Sequence, residues 1–137
     1  AASRFGWHHT GDIGFRDADG WFHIVDRKKD MIISGGFNIY PAEVEQALQS
    51  HPAVQDCAVF GVPDEKWGEL VMAVVECRAG VARPDRDALM AHARGRLGPV
   101  KAPKQIQFID SLPRTNAGKV SRAELRKPYW RSAGRTI

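Results

Sequence analysis

The chain has 137 residues, 43% of them hydrophobic and 26% charged, an ordinary globular composition that argues against disorder. That length makes one domain burying roughly two-thirds of its unfolded surface, which is small for an enzyme that must bind several substrates and exclude water. Lys and Arg number 20 against 16 Asp and Glu, a balance of +4 that suits nucleic acid, an anionic surface or a phosphorylated small molecule and decides among none of them. In chain order, residues 13–26 (IGFRDADGWFHIVD) place two aromatic and β-branched runs around Asp17-Ala18-Asp19-Gly20, which predicts a β-hairpin. A charged joint, Arg27-Lys28-Lys29-Asp30, follows; the apolar run 31–33 is then broken by Ser34-Gly35-Gly36, where the backbone must bend sharply or admit a close neighbour.

Pro41 opens a helix over 41–50, with Val44, Ala47 and Leu48 on one face and His51-Pro52 ending it. Residues 53–62 and 70–77 read as strands, the second near-continuously apolar and therefore central, joined by a loop over 63–69. Asp85 is placed to cap a second helix over 86–97, with Leu89, Met90, Ala93 and Leu97 inward and Gly98-Pro99 as its stop. A short strand over 105–109, a turn-rich loop over 110–119 and a short helix over 122–127, capped by Ser121, complete the pattern. From Pro128 on the sequence reads as a basic tail without periodicity. The expected class is α+β: a small, mainly antiparallel sheet of about three strands covered by helices and preceded by a β-hairpin.

Several chemistries are excluded. Cys57 and Cys77 are the only cysteines and form no CxxC, so neither a zinc site nor a thioredoxin-type motif is indicated, and a cytoplasmic setting fits best. His8, His9 and His23 lack partners at metal spacing, so no metal site is expected. TNAGKV (115–120) is not a Walker loop, because Pro113 stands at the first glycine position and Val120 at the Ser/Thr position. Ser34 before two glycines is not a nucleophile elbow. No apolar run approaches the ~20 residues of a transmembrane helix. A nucleic-acid binder would interleave aromatic stacking positions or carry a recognition helix, and neither is present.

Three loops rich in polar, glycine and basic residues remain: Gly6–Asp12, Asp26–Asp30 running on to Pro41, and Leu112–Arg122. Singly, each also reads as a turn, a solvated corner or a loop tip. Together, in this order, they resemble the C-terminal part of the adenylate-forming acyl-CoA synthetases, and DRKKDMIISGGFNIYPAEVE is most similar to the fatty-acyl and aryl-acid CoA ligases. The resemblance spans residues 6 to about 126 and implies a two-step reaction. A carboxylate attacks the α-phosphate of ATP, giving acyl-adenylate and pyrophosphate; CoA then displaces AMP, the C-terminal domain turning between the steps.

By that resemblance Asp12 and Arg27 hold the ribose hydroxyls of ATP or AMP, and Lys119 is the catalytic lysine that bridges the carboxylate and the α-phosphate. Lys29 falls at the hinge. Gly35 and Gly36 line the CoA channel, with Trp67, Lys101 and Lys104 as further CoA contacts. Mg2+ is expected to come with ATP, bound by a missing domain. The expected partners are the chain's own N-terminal domain, a small carboxylic acid, and a lysine acetyltransferase acting on Lys119, whose charge the first step needs. The implied division is 1–27 as the hairpin end of the N-terminal AMP-binding domain, 28–126 as the mobile domain and 127–137 as the tail. Lacking a starting Met, the chain is expected to be a piece of a longer enzyme and inactive alone. The competing expectation is a separately encoded, non-catalytic module that binds CoA or acts in trans.

Overall fold

The computed structural model describes residues 3–134. Two short strands, β1 (Ser3–Arg4) and β2 (Trp7–His8), precede the expected hairpin of β3 (Asp12–Arg16) and β4 (Phe22–Arg27). Asp17 builds its turn, with one carboxylate oxygen accepting from the Asp19 and Trp21 amides at 3.0 Å each. A single 3-10 turn, Lys28–Asp30, leads out of β4.

The sequence 31–40 is more ordered than a broken apolar run. β5 (Ile32–Ser34) and β6 (Phe37–Ile39) form a second hairpin whose two turn residues, Gly35 and Gly36, have φ of +57° and +83°. Two consecutive positive φ values are what a two-residue hairpin turn of type I′ demands. Helix α1 (Pro41–Gln49) follows, and Val44, Ala47 and Leu48 are buried as its spacing predicts.

The main sheet has three strands in the order β7–β8–β9, with β7 (Val54–Asp64) antiparallel to β8 (Gly68–Cys77) and β8 parallel to β9 (Gln105–Ile109). Helix α2 (Arg86–Leu97) makes the crossover between the parallel strands. The loop expected over 63–69 shrinks to Glu65–Trp67. Pro63, Asp64, Gly68 and Glu69 are paired strand residues, because Asp64 accepts from the Lys66 and Trp67 amides and closes the turn locally. Asp85 stands at the start of α2, yet its side chain makes no capping hydrogen bond.

Alternation along β7 and β8 sends side chains to both faces of the sheet. Cys57, Val59, Val71, Ala73 and Val75 pack beneath α1 and α2 with Leu48, Leu89 and Ala93. Ala58, Phe60, Val62, Met72 and Val74 form the opposite core with Leu112, closed by Leu125 and Tyr129 of α3 (Arg122–Ser132). The result is a helix–sheet–helix sandwich.

Helix α3 also corrects an expectation. It does not end at residue 127 but runs through Pro128 to Ser132, so half of the stretch expected as a tail from Pro128 on is helical; its last three residues, 135–137, lie outside the described part. Packing explains this: Tyr129 meets the Phe60 ring at 5.9 Å, and Trp130 Nε1 donates to Gly61 O at 2.9 Å. These anchors outweigh the lost helix bond at proline, a case of tertiary context overriding propensity.

Candidate functional site

The loop 113–121 is a closed unit. Thr115 N donates to Lys119 O at 2.7 Å, Gly118 N to Thr115 O at 2.8 Å and Ser121 N to Pro113 O at 2.9 Å, and Arg114 bridges Val120. Arginines clamp both ends to the body. Arg114 reaches Asp56 at 3.0 Å, and Arg122 holds Glu45 through two bonds of 2.9 and 2.7 Å. Lys119 sits at the exposed tip.

That tip shares a cavity of about 380 Å³ with Arg27, Lys29, Asp30 and Thr115. Asp12 stands opposite Arg27 in the β3–β4 register, and Lys28 N donates to Gly11 O at 2.8 Å. The residues of the three separate loops that carry Asp12, Arg27, Lys29 and Lys119 thus converge on one corner. The Asp26 and Asp30 carboxylates on its wall are engaged by Arg122 at 3.6 and 3.2 Å, so they do not fit as ligands for Mg2+. Burial works against the charge on Arg122, but Glu45, Asp26 and Asp30 outweigh it and raise its pKa. Asp26, Glu45 and Arg122 are structural parts of the site that no motif singles out. Their signal is chemical rather than positional: Arg122 gathers three carboxylates, Asp26 and Asp30 from one segment and Glu45 from α1.

Gly35, Gly36 and Trp67 occupy a different place. A Cβ on Gly35 would lie 2.7 Å from the Trp67 ring, and Gly35 N donates to Trp67 O at 2.9 Å. Trp67 then lines an apolar pocket of about 170 Å³ with Ser34, Phe37, Leu70, Pro99, Val100 and Lys104. Lys104 donates to Pro99 O, and burial, with Arg94 nearby, lowers its pKa. Lys101 does not join this pocket; its ammonium pairs with Glu43 of α1 at 3.0 Å. Cys57 is a buried core thiol whose pKa burial raises, with Glu45 and Asp56 adding to it.

The family model of the AMP-binding enzyme C-terminal domain matches residues 43–119. The chain belongs to that family. Relatives of this AMP-binding C-terminal domain include the feruloyl-CoA synthase of an Amycolatopsis species, 53% identical over 92% of this chain and 26% of the relative. A medium/long-chain-fatty-acid–CoA ligase of Mycobacterium tuberculosis is 48% identical over 96% of this chain and 24% of its own length. Among solved structures, the Bacillus subtilis o-succinylbenzoate CoA synthetase, in complex with its acyl-adenylate intermediate, superposes with a TM-score of 0.84 at 39% identity. It is covered over 91% of this chain and 25% of that one. The chain therefore spans about a quarter of the length of the proteins it matches. Among the described residues no helix is long and apolar enough to cross a membrane.

Proposed function

We propose that this domain is the mobile C-terminal part of an ATP-dependent acyl-CoA synthetase converting a carboxylate, ATP and CoA into acyl-CoA, AMP and pyrophosphate. The observation that carries the reading is the shared cavity of Arg27, Lys29 and Lys119, with Asp12 paired beside it. Lys119 brings a full positive charge, on a loop clamped at both ends, to the place where negative charge accumulates on the α-phosphate. Asp12 and Arg27 take the ribose hydroxyls. Lys29 is the pivot, and the Gly35–Gly36 turn with Trp67 and Lys104 forms the wall of the CoA channel. Lys101, bound to Glu43, is the weakest of these contacts.

The division at residue 27 is supported by the hairpin's exposed apolar side chains, Phe15, Trp21, Phe22 and Ile24, an edge suited to covering by the larger N-terminal domain. That domain would hold the Mg2+ that accompanies ATP. The substrate class is an aryl or fatty acid, and the setting is cytoplasmic. Acetylation of Lys119 by a protein acetyltransferase would remove the charge the first step needs.

The test is a pyrophosphate-release screen of the full-length enzyme with ferulate and a series of fatty acids, followed by Lys119→Ala. Adenylate formation is expected to fall about 10²–10³-fold, with thioester formation from preformed adenylate spared. Equal loss of both half-reactions overturns the assignment.

A further inference from the structure

Asp26 is the one charged residue buried among the described residues, at 8% exposure. A carboxylate is removed from water only where partners compensate it. One Asp26 oxygen accepts from Arg27 N at 2.7 Å and faces an Arg122 nitrogen at 3.6 Å. The other accepts from Ala42 N at 2.8 Å. Ala42 is the second residue of α1, and its amide is one of the donors every helix leaves open at its start. Tyr40, at the N-cap position, supplies no side-chain cap. The hairpin therefore caps a helix that lies beyond the Lys28–Asp30 turn.

The partners sort by side of that turn. Arg122, Glu45, Asp30 and Ala42 all follow Lys29 in the chain, whereas Asp26 precedes it. A rotation at Lys29 carries the Arg122–Glu45 and Arg122–Asp30 pairs along intact. It cannot preserve Asp26–Ala42 or Asp26–Arg122. Those two contacts are specific to the orientation described above, in which Lys119 and Arg27 line one cavity.

We propose that Asp26 is a latch across the hinge, a positioning residue that holds the domain with Lys119 turned toward Arg27 and releases Ala42 and Arg122 when the domain turns for the second step. The proposal rests on the reading of Lys29 as the pivot and of Lys119 as the adenylation lysine. A freed, buried carboxylate has to find water or a new donor, so the latch makes the two orientations discrete.

Two measurements on the full-length enzyme test it. In D26N, adenylate formation is expected to slow about tenfold, the worth of a lost charge-assisted contact, while thioester formation from preformed adenylate is unchanged or faster. Equal slowing of both half-reactions, or no change in either, overturns the latch. In the wild type, hydrogen exchange at the Ala42 amide is followed with the sulfamate analogue of the acyl-adenylate of the acid found in the screen. Exchange is expected to quicken when CoA is added, and an amide equally protected with and without CoA overturns the latch. This second measurement needs no variant and stands if D26N folds poorly. K119A separates the readings: adenylation surviving K119A refutes the lysine assignment, whereas the Ala42 amide reports on the latch alone.

Discussion

A single methyl group at Gly35 meets two obstacles at once. Its φ of +57° costs a side-chain-bearing residue about 1–2 kcal/mol, and the new Cβ would press on the Trp67 ring at 2.7 Å. Gly35→Ala is expected to lower the melting temperature, and W67A in the same chain is expected to recover the part due to the ring but not the part due to the backbone. A double-mutant cycle of thermal melts measures the split, and full additivity of the two substitutions refutes the contact. The paired glycines were legible in the sequence as a bend or a close approach, and they are both. Which neighbour approaches was not legible, because Trp67 lies thirty-two residues away along the chain and is brought back only by the β7–β8 hairpin.

At the scale of elements, α1 and α2 meet through a small polar contact. Ser50 Oγ lies 2.8 Å from His92 Nε2, and the His51 and His92 rings stand edge to face at 5.1 Å. Burial holds the His92 pKa below its ordinary value, with His51 and Arg96 adding to the effect. The unfolded chain then binds this proton more readily than the folded one. The stability is complete above the ordinary histidine pKa of about 6.5 and falls as the pH drops below it. Thermal melts between about pH 7 and about pH 5.5 should decline, and H92Q should flatten the decline. A variant that declines as steeply as the wild type removes this contact as the cause. Elements with strong local signals matched their expected spans closely: α1 through Pro41 and its apolar face, β9 through its flanking breaks, α2 through its spacing. The continuation of α3 past Pro128 was not legible. Local chemistry argues for a stop there, and only the docking of Tyr129 and Trp130 on β7 reverses it.

For the whole molecule, the described chain brings a polar, lysine-bearing corner and an apolar pocket, and it spans about a quarter of the relatives' length. The 137-residue chain alone is expected to release no pyrophosphate from ATP with any acid in the screen, and turnover by this chain would refute the division of labour proposed above. The motifs made the convergence of the Arg27–Lys29 and Lys119 loops readable, since loop order and residue type survive without coordinates. The salt-bridge hub of Arg122 was hidden because its carboxylates come from positions 26, 30 and 45, and each alone resembles a solvated acid.

The β7–β8 ribbon carries a mechanical consequence. Trp67 stands at its turn, while Asp56, which pins the Lys119 loop through Arg114, lies eight residues back along β7 from Asp64. At ~3.3 Å per residue that is a strut of roughly 25 Å, stiffened by pairing along its length and by packing on both faces. An angular error of about 2° at one end moves the other by roughly 1 Å, a misplacement that can cost on the order of 10²-fold in rate. On the two-step reading proposed above, the ribbon is a lever whose stiffness sets how accurately a single turn would withdraw one chemical tool and present the next.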